Sequence, residues 1–268
     1  MNRAGLLIAL AVAAAIGLLF GIYPGLDLDL ERLFYDPAVA SIGGFPALYD
    51  PVVNRARDLA RLISALLVAP AALAVAGKLI APRRRMLIPS RAAVLLIATL
   101  ALGPGLLTNA VLKHYWGRPR PIDVSEFAGD MRFVPWWDPR GDCPSNCSFV
   151  AGEPSGAFWA LAPAALVPPP WRAVATAAAL AFGAGVGLLR MAGGGHFPTD
   201  VVFAGLFTFL IIWVAHGLLF RWPTRLSDRA VERALERLAR PWRQPPAKPT
   251  DPPPREARWP AHAAGEPE

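Results

Sequence analysis

The sequence predicts an all-α, polytopic membrane protein with six transmembrane helices. Three observations predict this fold class. Hydrophobic residues make up 54% of the chain, they cluster into uncharged runs, and polar residues are concentrated between those runs. Several runs approach the roughly 20 residues that an α-helix needs to cross a bilayer. A chain of 268 residues could also form one or two soluble domains, but the clustering of its apolar residues excludes that class.

The apolar runs divide the chain into spans and polar connections. The first run continues as far as Ile22, which favours a retained span over a cleaved signal peptide. The third run is mildly broken by the sequence Gly103-Pro104-Gly105. The six predicted spans cover residues 5–22, 59–80, 92–112, 149–167, 173–189 and 201–220.

The distribution of Lys and Arg predicts the orientation of these spans. With six spans, all the basic connections lie on one side of the membrane. Loops rich in Lys and Arg are usually retained in the cytoplasm, so we assign this side to the cytoplasm. These connections are Arg3, residues 83–91, Arg172 and the tail from Arg221. The acidic segment 23–58, the polar loop 113–148 and the turn 193–195 then face the periplasm. Because Ala and Arg are as frequent as in bacteria with GC-rich genomes, we expect the bacterial inner (cytoplasmic) membrane.

The C-terminal part contains two kinds of segment. Residues 227–238 have the spacing of a basic amphipathic helix that lies on the membrane, with Ser227 as its N-cap. The apolar face of this helix carries Val231, Ala234, Leu235 and Leu238. From Pro241 onward the composition cannot form a core, which predicts disorder. The predicted units are 1–58 (first span and periplasmic segment), 59–220 (core) and 221–268 (cytoplasmic helix and tail).

The charge and the cysteines limit the partners and the compartment. The net charge of +7 lies in short loops and in the tail, where topology and anionic lipid explain it better than nucleic acid does. Cys143 and Cys147 occur in one polar loop without the neighbouring ligands of a zinc site. They form a disulfide if the loop lies outside the cytoplasm, and two free thiols otherwise.

The turn between the last two spans carries the strongest chemical signal. His196 and Asp200 are four residues apart, and three consecutive glycines let the backbone approach a ligand closely. A carboxylate can hold an imidazole in one tautomer and stabilise its developing positive charge, which suits a nucleophile or a base. The competing interpretation is a Gly-rich turn between helices with a histidine that serves only structure.

Three cations are predicted to converge on this turn at one membrane face. Lys113 and Arg120 follow the third span, and Arg190 ends the fifth. Two guanidiniums and an ammonium match a phosphate well. Snorkelling towards lipid headgroups explains one such cation easily, but it explains three beside a His–Asp pair poorly.

These motifs together resemble a known family. Lys113-x6-Arg120-Pro121, a Gly-centred motif at Gly152, and Arg190-x5-His196-x3-Asp200 are similar to the signature of the type-2 phosphatidic acid phosphatase superfamily, which also contains the vanadium haloperoxidases. The resemblance covers roughly residues 92–220. It implies the helical core of that superfamily and a phosphatase that needs neither a metal ion nor another cofactor.

The resemblance also implies roles for individual residues. His196 is expected to attack phosphorus and form a phosphohistidine, with Asp200 orienting it and balancing its charge. Lys113, Arg120 and Arg190 are expected to hold the phosphoryl oxygens and stabilise the transition state.

The middle motif departs from the family pattern, Pro-Ser-Gly-His, and reads Val-Ala-Gly-Glu over residues 150–153. Gly152 can still offer its backbone N–H to phosphate at the start of a helix. Ala151 lacks a hydroxyl, and Glu153 stands where a histidine protonates the leaving oxygen. Gly-Glu variants resemble a subgroup that includes lipid A phosphatases. Glu153 is the preferred general acid, and His114 is the alternative.

The sequence therefore predicts a phosphoric monoester hydrolase that acts on a membrane lipid at the periplasmic face. The substrates that we expect are lipid A, undecaprenyl diphosphate, or phospholipids such as phosphatidic acid and phosphatidylglycerol phosphate. One alternative is a lipid phosphotransferase. Another is a non-catalytic lipid-phosphate-binding protein, because Ala151 and Glu153 depart from the family. The sequence does not determine the oligomeric state.

Overall fold

The computed structural model describes residues 3–223 and 226–239, and this part of the chain is helical with connecting turns, as predicted. Within these described residues, five helices are long and apolar enough to cross a membrane. They are α1 (Arg3–Ile22), α3 (Pro51–Ile80), α4 (Ser90–Tyr115), α7 (Pro169–Ala192) and α8 (Pro198–Arg221). The shorter helices are α2 (Gly25–Glu31), α5 (Gly152–Phe158), α6 (Leu161–Leu166) and α9 (Asp228–Ala239). A total of six spans stays a prediction.

Helix α3 begins at Pro51, eight residues before the predicted second span at residue 59. The side chain of Asp50 accepts hydrogen bonds from the amides of Val52 and Val53, and Pro51 occupies the first helical position. An Asp N-cap followed by Pro is a strong helix start. The two extra turns place Arg57 on this helix.

Helix α4 continues through Gly103-Pro104-Gly105, where a mild break was expected. Because Pro104 has no N–H to donate to the carbonyl of Leu100, the ordinary ladder cannot continue, and residues 101–112 form wider π-helical turns. Within these turns, the side-chain amide of Asn109 donates to the backbone carbonyl of Pro104 at 2.6 Å. Lys113 follows directly after this π-helical stretch.

The fourth predicted span, residues 149–167, consists of two short helices. Pro163 cannot donate to the carbonyl of Trp159, and the amide of Ala162 occupies that carbonyl instead at 2.8 Å, which tightens the turn between α5 and α6. Helix α6 packs with Ala93 and Leu96, near the start of α4, whereas α5 begins near Lys113 at its end. The α5–α6 pair thus runs from one end of the helix bundle towards the other.

Polar segments cover the end of the bundle at which α4 ends and α5 begins, here called the site end. Helix α2 and the loop after α4 share a buried apolar cluster. Its members are Leu28, Phe45, Val124, Phe127 and Phe197. Part of the acidic segment 23–58 is therefore packed onto the loops that carry the candidate site.

Helix α9 forms as predicted but packs on protein. Ser227 accepts a hydrogen bond from the amide of Ala230 at 3.1 Å, which confirms the N-cap. Glu236 pairs with the buried Lys78 of α3 at 2.8 Å, and Asp228 pairs with Arg91 of α4 at 3.0 Å. Of the predicted apolar face, Val231 is buried and Leu238 is 63% exposed. The predicted disordered tail from Pro241 lies outside the described residues.

Candidate active site

His196 lies in the turn between α7 and α8 and is 1% exposed. Its Nδ1 is 2.8 Å from the backbone carbonyl oxygen of Ser148. Since a carbonyl oxygen only accepts hydrogen bonds, Nδ1 carries the proton and the lone pair resides on Nε2. The pKa of His196 is lowered to about 4, chiefly by burial and also by the nearby Arg190 and Lys113, against the opposing effect of Asp200. The imidazole is therefore neutral at physiological pH.

Asp200 lies behind the imidazole rather than in hydrogen-bond contact with it. Its Oδ2 is 3.8 Å from Nδ1 of His196, beyond hydrogen-bond distance. The carboxylate accepts instead from the amide of Phe197 at 2.8 Å, from the Ser148 hydroxyl and from Arg118 at 2.6 Å. The hydrogen bond that was expected to orient His196 is therefore made by the Ser148 carbonyl oxygen and not by Asp200. Asp200 places a negative charge 3.8 Å from the imidazole.

The three predicted cations converge on His196. Lys113, Arg120 and Arg190 line a cavity of about 400 Å³ together with His196. Arg120 donates to the backbone carbonyl of Asn146 at 2.7 and 3.1 Å, and Lys113 contacts the Asn146 side chain at 3.4 Å. Nε of the buried Arg190 has no hydrogen-bond acceptor in the described part of the chain. Three cations held by neutral acceptors, or by none, favour an anionic ligand.

Two glycines allow the cations to lie against the backbone. A Cβ on Gly195 would be 2.3 Å from Nη2 of Arg190. A Cβ on Gly152 would be 3.0 Å from Nζ of Lys113 and 2.8 Å from Oδ1 of Asn109. Gly152 is also the first residue of α5, and the preceding Ala151 provides no side-chain cap. Within the Gly-centred motif, Glu153 lines this cavity and Gly152 lines a neighbouring one.

Glu153 lines the cavity but is held by an arginine that the sequence analysis did not include. Nε and Nη2 of Arg57 donate to the two carboxylate oxygens of Glu153 at 3.0 and 2.7 Å. This bidentate pair stabilises the ionised carboxylate. Arg57 lines the cavity as well. The helix start at Asp50-Pro51 is the sequence signal that could have placed Arg57 on this face.

His114, the alternative acid, points away from the cavity. Its side chain is exposed and packs against Tyr115 with ring centroids 5.3 Å apart. The residues lining the cavity do not include it. Of the two candidates, only Glu153 lies where a leaving group could accept its proton.

A second cavity of about 320 Å³ adjoins the first and shares Arg57, Lys113 and Glu153 with it. It extends between α3, α4 and α5, where its walls are largely apolar. Its further lining includes Ala60, Ser64, Pro104, Ala157 and Val186. A ligand that fills both cavities has a charged end at His196 and an apolar part between helices.

The loop before α5 supplies further contacts to the site. Cys143 and Cys147 form a disulfide, which confirms the first of the two states predicted for these residues. The amides of Cys147 and Ser148 donate to the carbonyls of Lys113 and Arg118 at 3.0 and 2.8 Å. This loop thus holds Asn146 over the cations and Ser148 beside His196. The contact between the Ser148 carbonyl and His196 could not be predicted from the sequence, because backbone carbonyls carry no sequence signature.

The described residues contain no group of three or more His, Cys, Asp or Glu placed to hold a metal ion.

Comparison with known proteins agrees with this geometry. Residues 92–224 match the family model of the PAP2 superfamily. The chain is 37% identical over 224 residues to a lipid A 4'-phosphatase of Francisella tularensis subsp. novicida (strain U112), which covers 82% of this chain and 98% of that protein. It is 34% identical over 209 residues to a lipid A 4'-phosphatase of Rhizobium leguminosarum, covering 73% and 88%.

A lipid A 4'-phosphatase of Rhizobium etli is 33% identical over 215 residues, covering 73% of this chain and 79% of that protein. No solved structure is significantly similar to this chain. The family match spans the three motifs that surround the cavity, and the relatives align over most of their length. The buried histidine, the three cations and these matches lead to one conclusion: this chain belongs to the PAP2 superfamily.

Proposed function

We propose that this protein removes the 4'-phosphate from a lipid A-type substrate at the periplasmic face of the inner membrane, through a phosphohistidine. Its family and its relatives support the coarser statement that it is a membrane lipid phosphatase. The observation that carries the finer proposal is the neutral, buried His196, with Nε2 unprotonated and three cations around the adjoining cavity.

In the first step, Nε2 of His196 attacks phosphorus, the N–P bond forms and the P–O bond to the sugar breaks. Lys113, Arg120 and Arg190 stabilise the charge on the phosphoryl oxygens. Positive charge develops on the imidazole, and Asp200 at 3.8 Å stabilises it. This step requires no metal ion, since the side chains supply both the nucleophile and the counter-charges.

Glu153 is the proposed donor of the proton to the leaving oxygen. Its pairing with Arg57 must therefore change when substrate binds. A phosphate dianion competes for the Arg57 guanidinium, and weakening of the pair favours protonation of the carboxyl group. In the second step, water attacks phosphorus, the N–P bond breaks, and Glu153 takes the proton back.

The proposed position of the site follows from the two cavities and the charge distribution. The phosphate occupies the cavity at His196, and the apolar part of the lipid extends along the cavity between α3, α4 and α5. The basic loop 83–91 lies at the opposite end of α4 from Lys113, which supports a periplasmic site end. The disulfide near the site supports the same compartment.

The test is phosphate release by purified, detergent-solubilised protein in EDTA. Lipid A, undecaprenyl diphosphate and phosphatidic acid are presented in parallel, and mass spectrometry locates the phosphate lost from lipid A. We expect release of the 4'-phosphate from lipid A and a loss of at least about 1,000-fold in His196→Ala. His114→Ala, an exposed neighbour of Lys113, is the matched control and should retain activity.

Three outcomes contradict the proposal in different ways. Activity that persists in His196→Ala excludes the phosphohistidine. Phosphate that appears on a second lipid instead of in solution identifies a phosphotransferase. Binding without turnover in both the unaltered protein and His196→Ala identifies a lipid-phosphate-binding protein.

A further inference from the structure

A cluster of buried charges lies behind Asp200, and the mechanism above does not use it. Arg118 is fully buried and donates Nη1 to Oδ1 of Asp200 at 2.6 Å and Nη2 to Oδ2 of Asp27 at 2.8 Å. Asp27 belongs to α2, which precedes the family match at residues 92–224. One guanidinium thus connects the N-terminal part of the chain to the carboxylate beside His196.

Further contacts hold this cluster in one geometry. Thr199 accepts from Nη1 of Arg118 at 2.8 Å and donates to Oδ2 of Asp27 at 2.7 Å, and its amide donates to Oδ1 of Asp27 at 3.1 Å. The ring of Phe197 stacks on the guanidinium at 4.4 Å. Burial raises the pKa of Asp27, whereas Arg118 and the hydroxyl of Thr199, which donate to its carboxylate, act in the opposite direction.

Stability alone does not account for such a cluster. Taking three charged groups out of water is costly, and apolar side chains of similar volume often stabilise a fold as well or better. The cluster is placed directly against the group that supports the proposed nucleophile. This position indicates that the cluster acts on the reaction through Asp200.

We propose that Arg118 and Asp27 are positioning residues for phosphoryl transfer, which hold Asp200 in place and set how strongly its negative charge acts on His196. This inference rests on the proposed function, in which positive charge develops on His196. Arg118 partly neutralises Asp200, and Asp27 partly neutralises Arg118. The charges alternate in sign from Asp27 through Arg118 to Asp200. Removing the charge of Asp27 therefore weakens the stabilisation of positive charge on His196, and removing the charge of Arg118 strengthens it.

The other charged groups around His196 are the same in all the proteins that the test compares. Glu31, one turn after Asp27 on α2, is buried, and neither of its carboxylate oxygens has a hydrogen-bond partner in the described part of the chain. Burial raises the pKa of Glu31 to about 10, so that this group is neutral at physiological pH. The remaining charged groups, from the elements packed around the site, include Arg57, Arg61, Lys113, Arg120, Glu153 and Arg190.

The first variant removes the negative charge of Asp27 with little change of shape. In Asp27→Asn, Arg118 neutralises Asp200 more completely, and the developing charge on His196 is less stabilised. We expect kcat for lipid A to fall about 10- to 100-fold while KM changes little. Asp29→Asn is the matched control, because Asp29 is exposed on the same helix and should leave kcat unchanged.

The second variant has the opposite sign. In Arg118→Met, the unneutralised Asp200 stabilises the imidazolium, and the pKa of His196 rises from about 4 towards its ordinary value. The protonated histidine cannot attack, so the ratio of kcat at pH 5.5 to kcat at pH 8 should fall relative to the unaltered protein. In Asp27→Asn this ratio should not fall. Substrate ionisation cancels, since every protein is measured with the same lipid.

If Arg118→Met does not fold, Asp27→Asn/Arg118→Met removes one charge of each sign and still raises the pKa of His196. The proposal is overturned if Asp27→Asn keeps the unaltered kcat, or if both Arg118 variants keep the unaltered pH ratio. Those results would give the cluster a purely structural role. The proposed function fails separately, by activity that survives in His196→Ala.

Discussion

At the scale of single residues, the site depends on places where a cation lies directly against the backbone. Arg190 packs on Gly195, one residue before His196, and Lys113 packs on Gly152. Only a residue without a Cβ allows these approaches. Gly195 thus lets a guanidinium lie beside the turn that carries the imidazole, whereas Gly194 is required for a different reason, its left-handed φ of +65° against Phe45.

The three glycines are not equivalent, and this difference can be tested. A Cβ at Gly195 would lie 2.3 Å from Nη2 of Arg190, whereas a Cβ at Gly193 would meet its nearest neighbours at 3.6 Å. We expect Gly195→Ala to displace the guanidinium and to reduce kcat/KM for lipid A at least about 10-fold. Gly193→Ala should have less than about a twofold effect.

Steady-state kinetics of the two purified variants, with their thermal stability measured in detergent, checks this prediction. Equal effects of the two substitutions on kcat/KM would show that the Gly195–Arg190 contact has no special part in the reaction.

At the scale of elements, the loop between α4 and α5 connects the disulfide to the cations that line the cavity at His196. Cys143 and Cys147 enclose Asn146, whose backbone is left-handed (φ of 52°) and whose carbonyl accepts from Arg120 at 2.7 and 3.1 Å. The same loop brings the carbonyl of Ser148 to His196. Restraining this loop therefore restrains Arg120 and His196 together.

Opening the disulfide should weaken substrate binding. In Cys143→Ser/Cys147→Ser, Asn146 becomes more mobile and Arg120 loses a fixed acceptor, so we expect KM for lipid A to rise about threefold to tenfold. A reductant should produce the same change in the unaltered protein and none in the double variant. The comparison of KM with and without reductant measures this, and an unchanged KM in both cases would refute the link between disulfide and site.

At the scale of the whole molecule, the charges divide the bundle into two ends. Lys113, Arg120 and Arg190 lie at the site end with His196, whereas residues 83–91 and α9 lie at the other end, joined by the pairs of Lys78 and Arg91. Cations at the site end are held around a cavity. Those at the other end form a basic surplus of the kind that retains loops in the cytoplasm.

This division predicts which end faces the periplasm. In the background Cys143→Ser/Cys147→Ser, single cysteines are introduced at two exposed positions, Ser145→Cys at the site end and Arg84→Cys at the other. A membrane-impermeant maleimide should label Ser145→Cys in intact spheroplasts and Arg84→Cys only after permeabilisation. The reverse labelling pattern would place the site in the cytoplasm.

The sequence by itself determined the fold class and the residues that converge on the cavity. Apolar runs of membrane-spanning length indicate helices because a bilayer leaves the backbone few alternatives. The motif spacings identify Lys113, Arg120, Gly152, Arg190 and His196, and the structure brings all of them together with Glu153. These signals are readable because each lies within a short stretch of chain.

Only the tertiary structure decided how these residues are held. Arg57 reaches Glu153 from α3, Asp27 reaches Arg118 from α2, and the partner of the imidazole is the backbone carbonyl of Ser148 rather than the expected carboxylate. Each contact joins segments far apart in the chain, and one of them is made by a backbone atom. Side-chain type and local spacing do not encode such contacts, because they form only when packing brings distant elements together.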